Sequence, residues 1–144
     1  MNVLITGAAS PLGQQIVAEL AANHQLRLLD NTTPDIKYEN FEFIQGSLVD
    51  PRIASEATQN IDVLIHTGEP PQNLPQDSLE CEQLLLDLAT RGTHVLFKAA
   101  VDAGVKRFIY GSTLEIFGSY PDDTYISEFY KPLPTPEIYQ MARY

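Results

Sequence analysis

Short apolar runs alternate with helical patterns along this chain of 144 residues, and that alternation constrains the fold more than any other feature. Runs without polar alternation are typical of strands that are buried on both faces of a parallel sheet. We predict five such strands, at residues 2–6, 25–30, 41–45, 61–67 and 106–112. Strands that alternate with helices predict a doubly wound α/β sheet with right-handed crossovers.

Helical patterns occupy the segments between these strands. Ser10 followed by Pro11 predicts a helix start, because a serine side chain accepts an unpaired backbone N–H and proline at the first helical position loses no hydrogen bond. That helix is expected to end near Asn23. A shorter helix is expected from Pro51 to Ala57. The longest predicted helix ends at Gly104 and has small or apolar residues at spacings of three and four: Leu85, Leu88, Gly92, Leu96, Ala99 and Ala103.

Charge and cysteine content exclude several functional classes. The chain has nine Lys and Arg residues and 19 Asp and Glu residues, which gives a formal net charge of -10. A charge of this sign repels phosphate backbones and anionic lipids, so neither nucleic acid nor membrane is an expected partner. The absence of a long apolar run or a basic leader predicts a cytoplasmic protein. Cys81 has no second cysteine to pair with, and the three histidines lack metal-ligand spacing, so no metal site is expected.

A glycine-rich turn joins the first strand to the first helix. Gly7, Ser10 and Gly13 occupy the three key positions of a Gly-x-x-Gly-x-x-Gly pattern, which directs backbone N–H groups and a helix N-terminus at a pyrophosphate. The simpler interpretation is a well-capped helix. Asp30, at the end of the second strand, stands where a carboxylate accepts a hydrogen bond from an adenosine ribose, and its charge would repel a 2′-phosphate. The pattern therefore favours NAD over NADP as cofactor.

Six blocks with this order and spacing resemble the extended short-chain dehydrogenase/reductase family, which includes nucleotide-sugar epimerases and dehydratases. The blocks are Thr6 to Gly13, Leu29-Asp30-Asn31, Gly46 to Asp50, Asp62 to Gly68, Arg91-Gly92-Thr93 and Phe108 to Gly118. The resemblance implies a Rossmann-like fold whose C-terminal substrate lobe is absent from these residues. It divides the chain into a dinucleotide-binding core at 1–118 and an active-site loop with the start of a tyrosine-bearing helix at 119–144.

The resemblance also implies which residues bind and react. The NAD-contacting positions would be Gly7, Ser10, Pro11, Leu12, Gly13, Asp30, Asn31, Ser47, Leu48, Thr67 and Gly68. Thr113 would hydrogen-bond the reacting substrate oxygen. Tyr139 would be the base and Arg143 would stand where the family has lysine; residues four apart share one helix face. A small-molecule substrate such as a nucleotide sugar, and a homodimer, are further implications.

Four positions depart from the family pattern and leave two functions open. Arg143 replaces a lysine, Ser10 the middle glycine, Ser47 an aspartate beside the adenine, and Ala89 an asparagine that orders the active site. The first hypothesis is an NAD-dependent oxidoreductase that transfers hydride at a sugar hydroxyl. The alternative is a catalytically degenerate NAD-binding or structural module that acts through a partner. His66 is expected either to line the cofactor groove or to be a buried, hydrogen-bonded strand residue.

Overall fold

The computed structural model of the protein describes residues 1–35, 40–71 and 73–143, apart from the side chains of Tyr139 and Arg143. Five parallel strands form one sheet in the order β3-β2-β1-β4-β5. They are β1 (Asn2–Thr6), β2 (Gln25–Asp30), β3 (Phe41–Gln45), β4 (Val63–His66) and β5 (Arg107–Tyr110). The predicted doubly wound parallel sheet is confirmed, and the first three strands have the predicted bounds.

The strand order places a crevice at the carboxyl edge of the sheet. From β1 the chain proceeds outward to β2 and β3, then returns to the other side of β1 to form β4 and β5. Loops that leave β1 and β4 therefore diverge to opposite sides. In open α/β sheets this reversal point is where ligands bind.

Helices cover both faces of the sheet. They are α1 (Pro11–Leu20), α2 (Pro51–Thr58), α3 (Ser78–Asp87), α4 (Thr93–Asp102) and α5 (Ile138–Arg143), with a π-helical turn at Leu88–Gly92 and a 3-10 helix at Leu114–Phe117. In the part of the chain that the structure describes, no helix has the length and apolar character to cross a membrane. The cytoplasmic location stays a prediction.

The long predicted helix begins earlier than its apolar pattern indicates. Asp77 caps α3, since its carboxylate accepts a hydrogen bond from the Glu80 N–H at 3.0 Å, and none of the described α3 side chains is buried. The start of α3 is thus set by a polar cap rather than by an apolar stripe. The C-terminal end of α4 agrees with the prediction that the long helix ends at Gly104, because Gly104 follows α4 with a left-handed φ of 74°.

Helix α1 and two strands are shorter than predicted. The chain leaves α1 after Leu20, whose carbonyl accepts hydrogen bonds from both Asn23 N and His24 N in a closing turn. Strands β4 and β5 stop one or two residues before the ends of their apolar runs. After β4 the chain is still buried at Thr67, at 2% exposure, whereas after β5 Ser112 is exposed.

The core lies on both faces of the sheet, as uninterrupted apolar strands require. Leu4 of β1 packs on one face with Leu64 and with Leu96 of α4. Its neighbour Ile5 packs on the opposite face with Val17 of α1. Successive residues of β1 are therefore buried on alternate sides, which fixes the central strand between two layers of helices.

The segment after β5 contains the 3-10 helix and then a long loop, and this loop folds back on that helix. Leu133 N donates to the Ile116 carbonyl at 2.8 Å, and Ser119 N donates to the Leu133 carbonyl at 3.0 Å. The rings of Tyr120 and Tyr130 meet edge to face with their centroids 5.3 Å apart. These contacts bring the chain back to the 3-10 helix just before α5 begins.

Candidate functional site

A cleft that is open to solvent lies at the carboxyl edge, where the chain reverses direction. Four loops contribute to it, those that follow β1, β2, β3 and β4, and α3 with the π-helical turn forms another wall. The lining residues are Gly7, Ala9, Ser10, Leu29, Asp30, Asn31, Thr32, Gly46, Leu48, His66, Gly68, Glu69, Pro70, Pro71, Leu85, Leu88 and Ala89.

Two glycines allow the turn after β1 to pack closely. Gly7 has a left-handed φ of 73°, and a Cβ there would overlap the hydroxyl of Thr67. A Cβ on Gly13 would overlap the Gly7 carbonyl oxygen and lie 2.9 Å from the Cα of Ala8. Strand, turn and helix therefore meet more closely than side chains permit, and the backbone of the turn is exposed to the cleft. The turn leads directly into the start of a helix, which is the backbone arrangement that binds phosphate groups in other proteins.

Ser10 is the N-cap of α1, and its hydroxyl is used within the turn. It donates to the Gly7 carbonyl at 2.7 Å and accepts from Gly13 N at 3.0 Å, in a side chain only 6% exposed. The capped-helix interpretation is thus correct for Ser10, and it is compatible with a phosphate turn because the cap holds the turn closed. Pro11 and Leu12 are exposed and lie outside the cleft lining, as does the buried Gly13.

Asp30 ties the end of β2 to the glycine-rich turn. One carboxylate oxygen accepts a hydrogen bond from Ala9 N at 2.9 Å, and the other accepts from Thr32 N at 3.1 Å. Each carboxylate oxygen has a second lone pair, so the side chain keeps the capacity to accept from a ribose hydroxyl. Because it is partly exposed and lines the cleft, Asp30 both shapes the turn and faces the ligand space.

The other predicted cofactor residues fall into two groups. Asn31, Leu48 and Gly68 line the cleft, and Gly68 has a left-handed φ of 67°. Ser47 and Thr67 lie outside the lining. Ser47 accepts from Val49 N at 3.4 Å, whereas Thr67 is buried below the turn and contributes by packing against Gly7.

His66 agrees with both interpretations from the sequence, since it is a buried, hydrogen-bonded strand residue and also lines the cleft. It is only 5% exposed, and its Nδ1 lies 2.7 Å from the Thr6 hydroxyl while its Nε2 lies 3.3 Å from the Thr93 hydroxyl. Its ring also contacts Tyr110, with centroids 5.5 Å apart. The imidazole thus connects β1, β4, β5 and the first residue of α4 while its edge lines the cleft.

Thr113 precedes the 3-10 helix, where its hydroxyl accepts from Glu115 N at 3.3 Å. It is half-buried and is not among the cleft-lining residues. Tyr139 and Arg143 lie on α5, but their side chains are outside the described part of the chain, so their catalytic roles stay predictions. The neighbouring Gln140 orients this helix, since its Oε1 accepts from both Thr135 N at 3.0 Å and Thr135 Oγ1 at 2.7 Å.

Helix α5 also lies beside the segment that Thr113 caps. A Cβ built on Gly118, just after the 3-10 helix, would be 3.0 Å from Oε1 of Gln140. The structure therefore brings the two segments that carry the predicted catalytic residues next to each other.

One wall of the cleft was largely missed by the sequence analysis, which placed only Ala89 of this wall near the active site. Leu85, Leu88 and Ala89 enter the lining from α3 and the π-helical turn. A widened turn of this kind has no propensity signal, although such turns are frequent at functional sites. Glu69, Pro70 and Pro71 were also missed as lining residues.

A parallel sheet with this strand order, a glycine-rich first crossover and an acidic residue at the end of β2 defines a Rossmann-type dinucleotide-binding protein. The chain belongs to the NAD dependent epimerase/dehydratase family, whose model matches residues 3–144. The family resemblance and its NAD cofactor, both predicted from the sequence, are confirmed by this match.

Individual relatives agree with the family assignment. An NAD-dependent glucose-6-phosphate dehydrogenase of Haloferax volcanii is 28% identical over 137 residues, which are 90% of this chain and 50% of the relative. A crystal structure of uronate dehydrogenase from Agrobacterium tumefaciens has a TM-score of 0.82 at 25% identity, over 99% of this chain and 51% of that one.

A Thermus thermophilus UDP-glucose 4-epimerase in complex with NAD has a TM-score of 0.81 at 26% identity, over 99% of this chain and 47% of that one. The chain therefore spans about half the length of these relatives.

Proposed function

We propose that this chain is the NAD-binding portion of an oxidoreductase that transfers hydride at a sugar hydroxyl. The observation that carries the proposal is the cleft formed by the glycine-rich turn and Asp30, joined by the hydrogen bond from Ala9 N to the Asp30 carboxylate at 2.9 Å. The turn and the start of α1 would hold the pyrophosphate, and Asp30 would accept from the adenosine ribose. When bound, NAD supplies the hydride acceptor.

The residues that would react lie after β5. In this proposal Tyr139 removes a proton from the sugar hydroxyl, Thr113 hydrogen-bonds the same oxygen, and the Arg143 guanidinium favours the phenolate form of the tyrosine. Arginine differs from the family's lysine because its planar, always charged group cannot reproduce the contacts of a compact ammonium. The proximity of α5 to the 3-10 helix at Gly118 supports a shared role for these segments.

The names of the relatives support a sugar as the substrate class. The Haloferax volcanii relative is a glucose-6-phosphate dehydrogenase, and the two solved proteins are a uronate dehydrogenase and a UDP-glucose 4-epimerase. All three substrates have a secondary or anomeric hydroxyl on a sugar ring. We propose that the substrate here is a sugar or nucleotide sugar, and that two copies of the protein form the homodimer that the resemblance implies.

NADH titration followed by cofactor fluorescence tests the binding part of this proposal. Replacing Asp30 with asparagine should weaken NADH binding about tenfold or more, because a hydrogen bond to a charged acceptor is worth roughly 1.5–3 kcal/mol. The matched control is Asp102→Asn on α4, where the carboxylate pairs with Lys98 outside the cleft lining.

The same titration separates the two hypotheses. Binding that depends on Asp30 and not on Asp102 supports an NAD site in this cleft. An absence of binding at millimolar NADH would reject it and leave the structural module. Hydride transfer from a UDP-sugar to bound NAD, in the chain itself or after Arg143→Lys, would favour the oxidoreductase over the NAD-binding module that acts through a partner.

A further inference from the structure

The charged residues that line the cleft all have the same sign. Asp30 and Glu69 are acidic, and among the described lining residues there is no lysine or arginine. A dinucleotide carries two phosphate charges, and the turn after β1 and the start of α1 are the parts of the described lining that favour an anion. The acidic side chains of the lining act on the charge that the nicotinamide ring carries.

Glu69 and Asp30 belong to opposite ends of the cleft. Asp30 ends β2, on one side of β1, while Glu69 follows β4 on the other side, three residues beyond His66. With the adenosine ribose at Asp30 and the pyrophosphate at the turn after β1, the nicotinamide half would extend past β4. Glu69, on the loop after β4, is therefore the acidic lining residue on the side of the cleft where the nicotinamide would lie.

Local geometry keeps the Glu69 side chain near the ligand space. The residue before it, Gly68, has a left-handed φ of 67°, and two prolines follow it, at positions 70 and 71. Its own N–H is directed at the Thr67 hydroxyl, at 3.5 Å. The side chain is exposed and lines the cleft.

We propose that Glu69 sets the redox preference of the cofactor site, so that the oxidised cofactor binds more tightly than the reduced one. The oxidised nicotinamide ring carries a positive charge and the reduced ring is neutral, so a carboxylate in this half of the cleft attracts only the oxidised form. This inference rests on the proposed NAD site. It assigns to the chain the behaviour of a dehydrogenase that takes up NAD and releases NADH, rather than that of an enzyme which retains its cofactor through both half-reactions.

The test measures the dissociation constants of NADH by fluorescence and of NAD by competition against NADH, for the unmodified chain and for two variants. We expect NAD to bind more tightly in the unmodified chain. Glu69→Gln should reduce the NADH/NAD ratio of dissociation constants about threefold, the factor that a carboxylate roughly 6 Å from a cation gives in bulk water. Glu69→Lys should shift it about tenfold in the same direction, since it changes two charges.

The control is Glu19→Gln, an equal change in net charge at an exposed position near the end of α1 that is remote from the cleft. It should leave the ratio unchanged. A second measurement needs no variant: raising NaCl from about 20 mM to about 1 M should bring the ratio of the unmodified chain towards one, because salt screens exposed charges.

Each outcome decides between the two proposals. If both forms bind and Glu69→Gln leaves their ratio unchanged, or weakens both equally, the redox assignment is wrong while the NAD site stands. If neither NAD nor NADH binds the unmodified chain, the proposed function fails and the assignment of Glu69 fails with it.

Discussion

Replacing Gly13 with alanine sets two physical effects of opposite sign against each other. Gly13 lies in the first turn of α1, where alanine is up to about 1 kcal/mol more favourable than glycine by helix propensity. Against this, the added Cβ would overlap the Gly7 carbonyl oxygen and lie 2.9 Å from the Cα of Ala8 and 3.0 Å from the Gly7 carbonyl carbon. Carbon atoms in good contact are about 3.5–4.0 Å apart.

The three atoms nearest to the added Cβ of residue 13 all belong to the backbone. No side chain can rotate away, so α1 must move away from the turn that follows β1. Overpacking costs about 1–3 kcal/mol and occasionally more, and a rigid backbone neighbour puts this case at or above the upper end. After subtraction of the propensity gain we expect a net loss of about 2 kcal/mol or more. In a chain of this size that lowers Tm by about 6 °C or more.

Urea and thermal unfolding followed by far-ultraviolet circular dichroism measure this loss. Gly104→Ala is the matched control, because Gly104 has a left-handed φ of 74° and nothing lies within 4 Å of its missing Cβ. There only the backbone penalty of about 1–2 kcal/mol is expected. A Gly13→Ala variant as stable as the unmodified protein, or more stable, would refute the close approach of α1 to the turn.

The remaining predictions concern stability and its dependence on pH. Ser10→Ala should cost about 1 kcal/mol in urea unfolding, because it removes the N-cap that accepts from Gly13 N, whereas Ser10→Gly should cost only a few tenths; equal losses in the two variants would contradict the capping role. The Asp62 carboxylate accepts from Lys106 Nζ at 2.7 Å and from Asn2 N at 3.0 Å, and these contacts, the lysine first, hold the pKa of Asp62 below its ordinary value. Its contribution to stability is therefore present at neutral pH and is lost as the pH falls from about 4 through the folded-state pKa. Asp62→Asn should lower the urea midpoint at pH 7, and the gap to the unmodified protein should narrow below about pH 4; a gap that stays constant with pH would exclude this linkage.

The sequence by itself determined the sheet and the position of the turn. Five apolar runs without polar alternation predict five strands, and β1, β2 and β3 have the bounds that these runs predict. The predicted burial on both faces is wrong for β5, an edge strand on which Ile109 and Tyr110 are exposed. The glycine spacing of the turn and the acidic end of β2 are local patterns as well. Each depends on residues close together in the chain, so it can be recognised before any fold is known.

Only the tertiary structure decided how distant residues are used. The Ser10 hydroxyl is directed into its own turn, and the His66 imidazole joins Thr6 to Thr93 across three elements. A second wall of the cleft, from α3 and the π-helical turn, was largely unforeseen. Hydrogen bonding and close packing between residues tens of positions apart depend on where the backbone places them. Periodicity carries no information about those distances, and that is the reason the sequence predicts the layers of this fold but not the lining of its cleft.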